Sequence, residues 1–262
     1  MNEEQFTGKA TVYAKHRPGY PEAYLQYLYS EVSLNAQSVI ADIGSGTGIL
    51  TKMLLDRGST VFAVEPNADM RAAAEQILNA RARPNFHSIP AAAESTTLPD
   101  NSMDAITVAQ AFHWFDRQRF KTECQRILKP NAPVALVWNL RDPESPLVCE
   151  NEALIHRHCP QFKGFSGRVN CADPQQFADF FYNGECDYRI FRHDLEFDEE
   201  GFIGRNLSGS YAPQAGAVEY APFVAAIKKL FAAHSKNGVI TLPNVTQSYV
   251  GKISRKDAKT QI

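Results

Sequence analysis

Hydrophobic and polar positions along the first half of the chain follow two periods, one typical of buried strands and one of amphipathic helices. Short apolar runs predict strands over residues 38–42, 60–65, 85–90, 103–109 and 133–139. A helical spacing of apolar residues predicts helices over residues 20–32, 49–57, 67–82 and 117–128. Strands that alternate with helices indicate an α/β fold with a doubly wound, mostly parallel sheet.

This alternation stops after Leu140, where polar and aromatic residues become more frequent. Helices are expected near residues 150–158, 174–181 and 221–234, and strands near residues 188–195 and 239–242. We therefore expect an insertion after the fifth strand, followed by a return to the sheet. The charged stretch 252–262 is expected to be a frayed tail.

Composition and charge restrict the partners of the chain. Of its 262 residues, 44% are hydrophobic and 21% charged, as in ordinary globular proteins. The net charge of -2 provides no basic field for nucleic acid, and no apolar run is long enough to cross a bilayer. The polar N-terminus is unlike a signal peptide, and the five cysteines lack a C-x-x-C pair. We expect a cytoplasmic monomer or homodimer, with no metal, membrane or nucleic-acid partner.

The candidate chemistry begins at the end of the first predicted strand. Asp42 there precedes glycines at alternate positions, Gly44, Gly46 and Gly48. Alternate glycines allow a tight turn and a close approach of the backbone to a ligand. The dinucleotide fingerprint G-x-G-x-x-G fits neither register of these glycines, and no Walker lysine follows them. The loop is a candidate nucleoside site at the carboxyl edge of a sheet, or a glycine-rich turn of another α/β protein.

Glu65 ends the second predicted strand, which we expect to lie beside the first. The two oxygens of a carboxylate at that place can accept hydrogen bonds from both hydroxyls of a ribose. The alternative is a solvated acid at a strand end.

The run Asp42-x-Gly44-x-Gly46-x-Gly48 resembles the first motif of class I S-adenosylmethionine (SAM) dependent methyltransferases, and residues 98–106 and 126–132 resemble later segments of that family. The resemblance covers residues 38–140 and implies a Rossmann-like, seven-stranded sheet with SAM as cofactor. It divides the chain into an N-terminal helical cover (1–35), a SAM-binding core (36–140), an acceptor-side insertion with late sheet elements (141–236), a last strand (237–251) and a tail (252–262).

The same resemblance implies roles for individual residues in holding SAM. The three glycines line the cofactor, Asp42 braces the loop and the solvent near the methionine amino group, and Glu65 binds the ribose. Met70 matches a position that packs on the adenine, and Glu94 matches an acidic position near that ring. Gln110 follows the fourth strand at the ligand edge.

Two further segments resemble a narrower branch, the methyltransferase type 11 proteins that include trans-aconitate methyltransferase-like members. They are residues 13–21 and 109–116. In that branch the N-terminal segment folds over the cofactor, which implies that Tyr13 and Arg17 close its methionine end, with Arg17 pairing the carboxylate. From the residues alone, Arg17 is equally well a surface cation beside a helix start.

His113 is the candidate general base, since imidazole titrates near neutrality and this residue follows the fourth strand. The neighbouring rings of Trp114 and Phe115 are candidates to line an acceptor pocket or to contact the sulfonium. The alternative places the rings in the core, with His113 hydrogen-bonded to the backbone. Methyl transfer needs in-line alignment and exclusion of water, and a carboxylate acceptor needs no base.

We therefore expect a SAM-dependent methyltransferase that acts on a small molecule, with an oxygen acceptor such as a carboxylate preferred. The alternative from another class is a non-catalytic SAM-binding or regulatory protein. A nucleotide-dependent oxidoreductase is disfavoured by the glycine spacing. The acceptor would be selected by residues 142–214, in which the sequence contains no recognisable motif.

Overall fold

The structure, a computed structural model, describes residues 17–79, 83–164 and 175–253. The helices in chain order are α1 (Glu22–Ser30), α2 (Ile49–Leu55), α3 (Ala68–Asn79), α4 (Arg117–Ile127), α5 (Pro146–His158), α6 (Glu199–Leu207) and α7 (Tyr220–His234). The strands are β1 (Val39–Ile43), β2 (Thr60–Val64), β3 (Phe86–Ile89), β4 (Ala105–Ala109), β5 (Pro133–Arg141), β6 (Cys186–Arg192), β7 (Leu195–Phe197), β8 (Ile240–Leu242) and β9 (Asn244–Lys252). Across these ranges, no helix has both the length and the apolar character needed to cross a membrane.

Seven strands form one sheet in the order β3-β2-β1-β4-β5-β9-β6. Strands β1 to β5 are parallel, and β9 runs antiparallel between β5 and β6. The predicted seven-stranded, mostly parallel sheet is thus confirmed. Because the strand order reverses between β1 and β4, the carboxyl ends of these strands border the crevice in which such sheets bind ligands.

Helices cover both faces of the sheet, and successive strand residues contribute to opposite faces. Ile106 belongs to the apolar cluster that contains the rings of Phe112 and Trp138, whereas Ala105 belongs to the one that contains Tyr24 and Leu54. Burial on both faces explains why the parallel strands are continuous apolar runs in the sequence. Helices α5, α6 and α7 share a third apolar cluster, so the insertion has a core of its own.

The insertion differs from its prediction in three places. The described part of the predicted helix 174–181, residues 175–181, forms turns in which the amides of Ala178 and Phe180 bond three residues back. The buried rings of Phe177 and Phe180 lie on one side of these tighter turns, which explains the helix-like spacing. The predicted strand 188–195 is split, because the chain leaves the large sheet after β6 and pairs β7 with β8.

The third difference is α6, over which no helix is predicted, since two glycines and an asparagine lower its helix propensity. The C-terminal strands also differ from the prediction. Strand β8 lies in the small sheet, and the last strand of the large sheet is β9, which includes Lys252, the first residue of the predicted tail. Ile253 is also described and is buried, whereas residues 254–262 of the tail and residues 80–82 of the predicted third helix lie outside the described ranges.

Candidate active site

The loop between β1 and α2 has a backbone conformation that glycine adopts most readily. Gly44, Gly46 and Gly48 have φ angles of +67°, +56° and +79°. A Cβ at Gly44 would lie 2.6 Å from Cβ of Ala111, and a Cβ at Gly48 would lie 2.9 Å from Cδ1 of Leu78. A Cβ at Gly46 would meet no described atom within 4 Å. The outer glycines are therefore required for packing, whereas Gly46 leaves open space that a ligand can approach.

Glu65 follows β2 and is hydrogen-bonded to the open part of this loop. Its Oε2 accepts a 2.9 Å hydrogen bond from the amide of Gly46, and its Oε1 accepts one of 2.9 Å from the amide of Asn67. The residue is only 8% exposed. The two amides fix the carboxylate, and a carboxylate oxygen can accept more than one hydrogen bond. A fixed carboxylate beside an open glycine fits the ribose of SAM.

The start of α3 places Met70 close to Glu65 along the chain. Oδ1 of Asn67 accepts a 3.0 Å hydrogen bond from the amide of Met70, so Asn67 caps the helix. The side chain of Met70 is buried. Packing of that side chain on an adenine stays a prediction.

Asp42 lies beneath the glycine loop and joins three elements of the core. Its carboxylate accepts hydrogen bonds from Oγ1 of Thr51 on α2, at 2.6 Å, and from Oγ1 of Thr107 on β4, at 2.8 Å. Burial raises the pKa of this carboxyl above its usual range, and the two hydroxyls partly oppose that effect. Asp42 is therefore placed to brace the loop, while its role near the methionine amino group stays a prediction.

Gln110 continues from β4 with a φ of +60°, which is unusual for a residue other than glycine. Its Nε2 donates a 3.0 Å hydrogen bond to the carbonyl of Asn139 on β5. Nδ2 of Asn139 donates to the carbonyl of Gly19 at 3.0 Å, and Oδ1 accepts from Oγ1 of Thr246 at 2.5 Å. These bonds connect the ligand edge of the sheet with the N-terminal segment.

His113 and Trp114 lie in a short 3-10 turn after β4. Nδ1 of His113 is buried and has no hydrogen-bond partner among the residues that the structure describes. Burial lowers the pKa of this imidazole to about 4. The side chain is therefore neutral at neutral pH. The ring of Trp114 lies 4.7 Å from that of His113 and is 38% exposed, so it is available to a ligand.

The phenylalanines on either side of this turn pack against the protein. Phe112 is fully buried, and its ring contacts that of Phe180 at a centroid distance of 4.7 Å. Phe115 packs on Phe120 at 4.9 Å, and its Cζ lies 3.1 Å from the place of a Cβ at Gly44. Phe115 thus holds the glycine loop against the core. Contact of Phe115 or Trp114 with an acceptor stays a prediction.

Glu94 is hydrogen-bonded to the loop that carries these rings. Its Oε1 accepts a 2.8 Å hydrogen bond from the amide of Asp116. Asp116 in turn caps α4 by accepting hydrogen bonds from the amides of Gln118 and Arg119. Glu94 is therefore joined to the loop that follows β4, and its proximity to the adenine stays a prediction.

Arg17 and Arg141 lie close enough to interact electrostatically. Nη2 of Arg17 donates a 3.2 Å hydrogen bond to the carbonyl of Ser208, which follows α6. Arg141, the last residue of β5, is 8% exposed and is hydrogen-bonded to the side chain of Tyr211. Burial lowers the pKa of its guanidinium, and the nearby positive charge of Arg17 acts in the same direction.

Three of these residues, Asn139, Arg141 and Tyr211, are absent from the site predicted from sequence. Asn139 and Arg141 could have been found from the sequence, because they are polar residues that alternate with apolar ones at the carboxyl end of a buried strand. Tyr211 lies in a loop of the insertion and carried none. The predicted cofactor residue Tyr13 lies outside the described residues.

Comparisons with known proteins agree with this geometry. Residues 41–136 match the family described as a methyltransferase domain. An uncharacterized methyltransferase of Mycobacterium tuberculosis is 31% identical over 249 residues, which cover 92% of this chain and 92% of the relative. An uncharacterized methyltransferase of Schizosaccharomyces pombe is 32% identical over 146 residues, which cover 55% of this chain and 56% of the relative.

A solved structure from Anaeromyxobacter dehalogenans, described as a candidate type II methyltransferase, has the same fold. It matches with a TM-score of 0.60 at 23% identity and covers 90% of this chain and 98% of its own.

Proposed function

The chain belongs to the class I SAM-dependent methyltransferases, and we propose that it methylates an oxygen, preferably of a carboxylate, on a small-molecule acceptor. SAM supplies an electrophilic methyl group on a sulfonium sulfur. An acceptor oxygen held in line with that carbon would take the methyl group, and the electron pair of the carbon–sulfur bond would remain on sulfur. The membership of the narrower, trans-aconitate-like branch stays a prediction.

We assign the cofactor to the crevice at the carboxyl ends of β1, β2 and β4. Glu65 and the open face of Gly46 would hold the ribose, and Asp42 would keep the loop in place from below. Gln110 lies at the end of β4, beyond the glycine loop, and would border the methionine end. Arg17 would be the cation nearest that end, as its position in the N-terminal segment supports.

The observation that carries the small-molecule proposal is the cover over the acceptor side. Arg17 of the N-terminal segment is bonded to Ser208 of the insertion, and Gly19 is bonded to Asn139 at the ligand edge. Two elements far apart in sequence thus meet above the ends of β4 and β5. Such a cover excludes water from the reaction and favours a small acceptor over a polymer.

The preference for a carboxylate is supported by the weak basicity of His113. With a pKa of about 4, its imidazole is a poor acceptor for the proton of a phenol. A phenol has a pKa near that of tyrosine, about 10, so the proton transfer would be uphill by roughly 8 kcal/mol. A carboxylate is ionised at neutral pH and needs no proton removed. We therefore assign His113 to the wall of the acceptor site.

A methyl-transfer screen tests this proposal. The enzyme is incubated with radiolabelled SAM and separate sets of carboxylic acids, phenols and amines, and products are examined by mass spectrometry. We expect methyl esters, which alkali cleaves with release of volatile methanol. Products formed only from phenols or amines would overturn the oxygen-of-carboxylate proposal. Parallel incubations contain protein or nucleic acid in place of the small molecules, and products formed only there would overturn the small-molecule proposal.

A further inference from the structure

Strand β6 forms one edge of the large sheet, with β9 as its neighbour. The amide of His193, which continues the register just after β6, donates a 2.9 Å hydrogen bond to the carbonyl of Asn244 on β9. Because every second residue of an antiparallel strand bonds to the same neighbour, the odd-numbered residues of β6 bond to β9. The amides and carbonyls of Ile190 and Arg192 therefore point to the outer edge, where no described backbone group bonds to them.

Ile190 presents an apolar side chain beside this open edge. Residues two apart on a strand lie on the same face of the sheet, so Ile190 shares a face with Tyr188 and Arg192. The ring of Tyr188 packs on that of Tyr249 at a centroid distance of 4.8 Å, whereas Ile190 is 54% exposed. Outward backbone groups next to an exposed apolar residue form a template for pairing with another strand.

We propose that β6 pairs with β6 of a second copy of this chain, in the antiparallel register that places Ile190 opposite its own counterpart. A two-fold axis then passes beside Ile190, and the two seven-stranded sheets join edge to edge. In this register, the outward amides of one copy face the outward carbonyls of the other. Each Ile190 side chain is covered by the other.

The side chains favour this register over its neighbours. Pairing centred on Ile190 places the exposed Arg192 opposite Tyr188, so that a cation lies beside an aromatic ring. A register centred on either arginine of β6 would place two guanidiniums directly opposite each other, which is destabilising. Centred on Phe191, Ile190 would lie opposite the charge of Arg192. Centred on Tyr188, Arg192 would lie opposite Gly184, in the turn before β6.

The proposed interface is remote from the cofactor crevice. Strands β5 and β9 lie between β6 and β4 in the sheet, so pairing at β6 leaves the carboxyl ends of β1, β2 and β4 accessible. The inference therefore goes beyond methyl transfer and does not depend on the identity of the acceptor. Binding of SAM can serve as a separate check that a variant is folded.

Charge substitutions at Ile190 test whether this residue lies opposite itself. Sedimentation velocity over about 1 to 300 μM is expected to show a wild-type dimer with a Kd on the order of 10 μM, because one pair of strands buries a small area. Ile190→Glu and Ile190→Lys each place like charges opposite each other, and each is expected to raise this Kd at least about tenfold. An equimolar mixture of the two variants is expected to regain dimers, since glutamate then lies opposite lysine.

Ile77→Glu is the matched control, because Ile77 is also an exposed isoleucine but lies on α3. This variant is expected to dimerise as wild type. Amide hydrogen exchange measured by NMR then reports the backbone bonds. The amides of Ile190 and Arg192 are expected to gain protection as the protein concentration rises, whereas the amide of Arg189, directed at β9, is protected at every concentration.

Regained dimers in the mixture, with a Kd for SAM within about twofold of wild type in each variant, support the proposal. Wild-type protein that stays monomeric over the whole concentration range, or dimers that persist in both Ile190 variants, would overturn it. A mixture that stays monomeric would also overturn it, since Ile190 would then lie opposite another residue. Protection of the Ile190 and Arg192 amides at every concentration would mean that another segment of the chain covers this edge, which would refute the pairing.

Discussion

The backbone amide of Gly46 donates a 2.9 Å hydrogen bond to Oε2 of Glu65. This bond joins the loop after β1 to the end of β2, the two places at which the sequence predicts contacts with the same nucleoside. The other carboxylate oxygen is held by the amide of Asn67. Two backbone donors therefore set the position of the carboxylate.

Glu65→Gln is expected to weaken SAM binding by at least about tenfold. A glutamine has a single acceptor oxygen, so its NH₂ group would face the amide of Gly46 or of Asn67. Calorimetric titration with SAM checks the Kd, with the exposed Glu219→Gln as control. An unchanged Kd would mean that Glu65 serves the loop alone.

Alanine substitutions should distinguish the closely packed Gly44 from Gly46, which leaves open space, by their effects on stability and on SAM binding. Gly44→Ala would force a Cβ onto Ala111 and is expected to destabilise the fold by more than about 2 kcal/mol. Gly46→Ala meets no described atom, so the left-handed backbone alone should cost about 1 kcal/mol, while SAM affinity falls. Urea unfolding and SAM titration of both variants test the contrast. Equal stability losses with normal SAM binding in Gly46→Ala would contradict it.

Part of the candidate site could be predicted from the sequence. The run of alternate glycines and the strand-end position of Glu65 are local patterns, and a parallel sheet brings strand ends together, so both could be predicted. The meeting of Arg17, Arg141 and Tyr211 depends on how the N-terminal segment and the insertion fold over β5. Contacts between residues so distant in sequence have no periodic pattern. The described part of the predicted helix 174–181, which also belongs to the insertion, forms turns instead.

His113 should make the protein sensitive to acid. Its pKa is about 4 when folded and about 6.5 when unfolded. The unfolded chain therefore binds the proton more readily, and stability is full above pH 6.5 and falls as the pH drops towards 4. The loss should approach roughly 3 kcal/mol. Urea unfolding over this pH range is expected to show a smaller acid loss in His113→Gln than in wild type; parallel curves would contradict a buried, neutral imidazole.

The same variant tests whether His113 acts as a base. We expect His113→Gln to lower kcat on the true acceptor by less than about tenfold, because a carboxylate needs no proton removed. A loss of about a hundredfold or more, with normal SAM binding, would restore the general-base role.

Asn139 should couple the N-terminal segment to the ligand edge. Asn139→Ala leaves the carbonyl of Gly19 and the hydroxyl of Thr246 without their partner, which should cost about 2 to 4 kcal/mol. Thr246→Val removes one of these bonds and should cost less. We expect only Asn139→Ala to weaken SAM binding, as measured by calorimetry next to urea unfolding. Equal effects of both variants on the Kd for SAM would argue against the coupling.

The most direct test of the account is transfer of the labelled methyl group of SAM to carboxylic acids by the wild-type enzyme. The account predicts an alkali-labile methyl ester, formed at a rate that Glu65→Gln lowers. An enzyme that binds SAM but methylates phenols or amines, and no carboxylic acid, would contradict it.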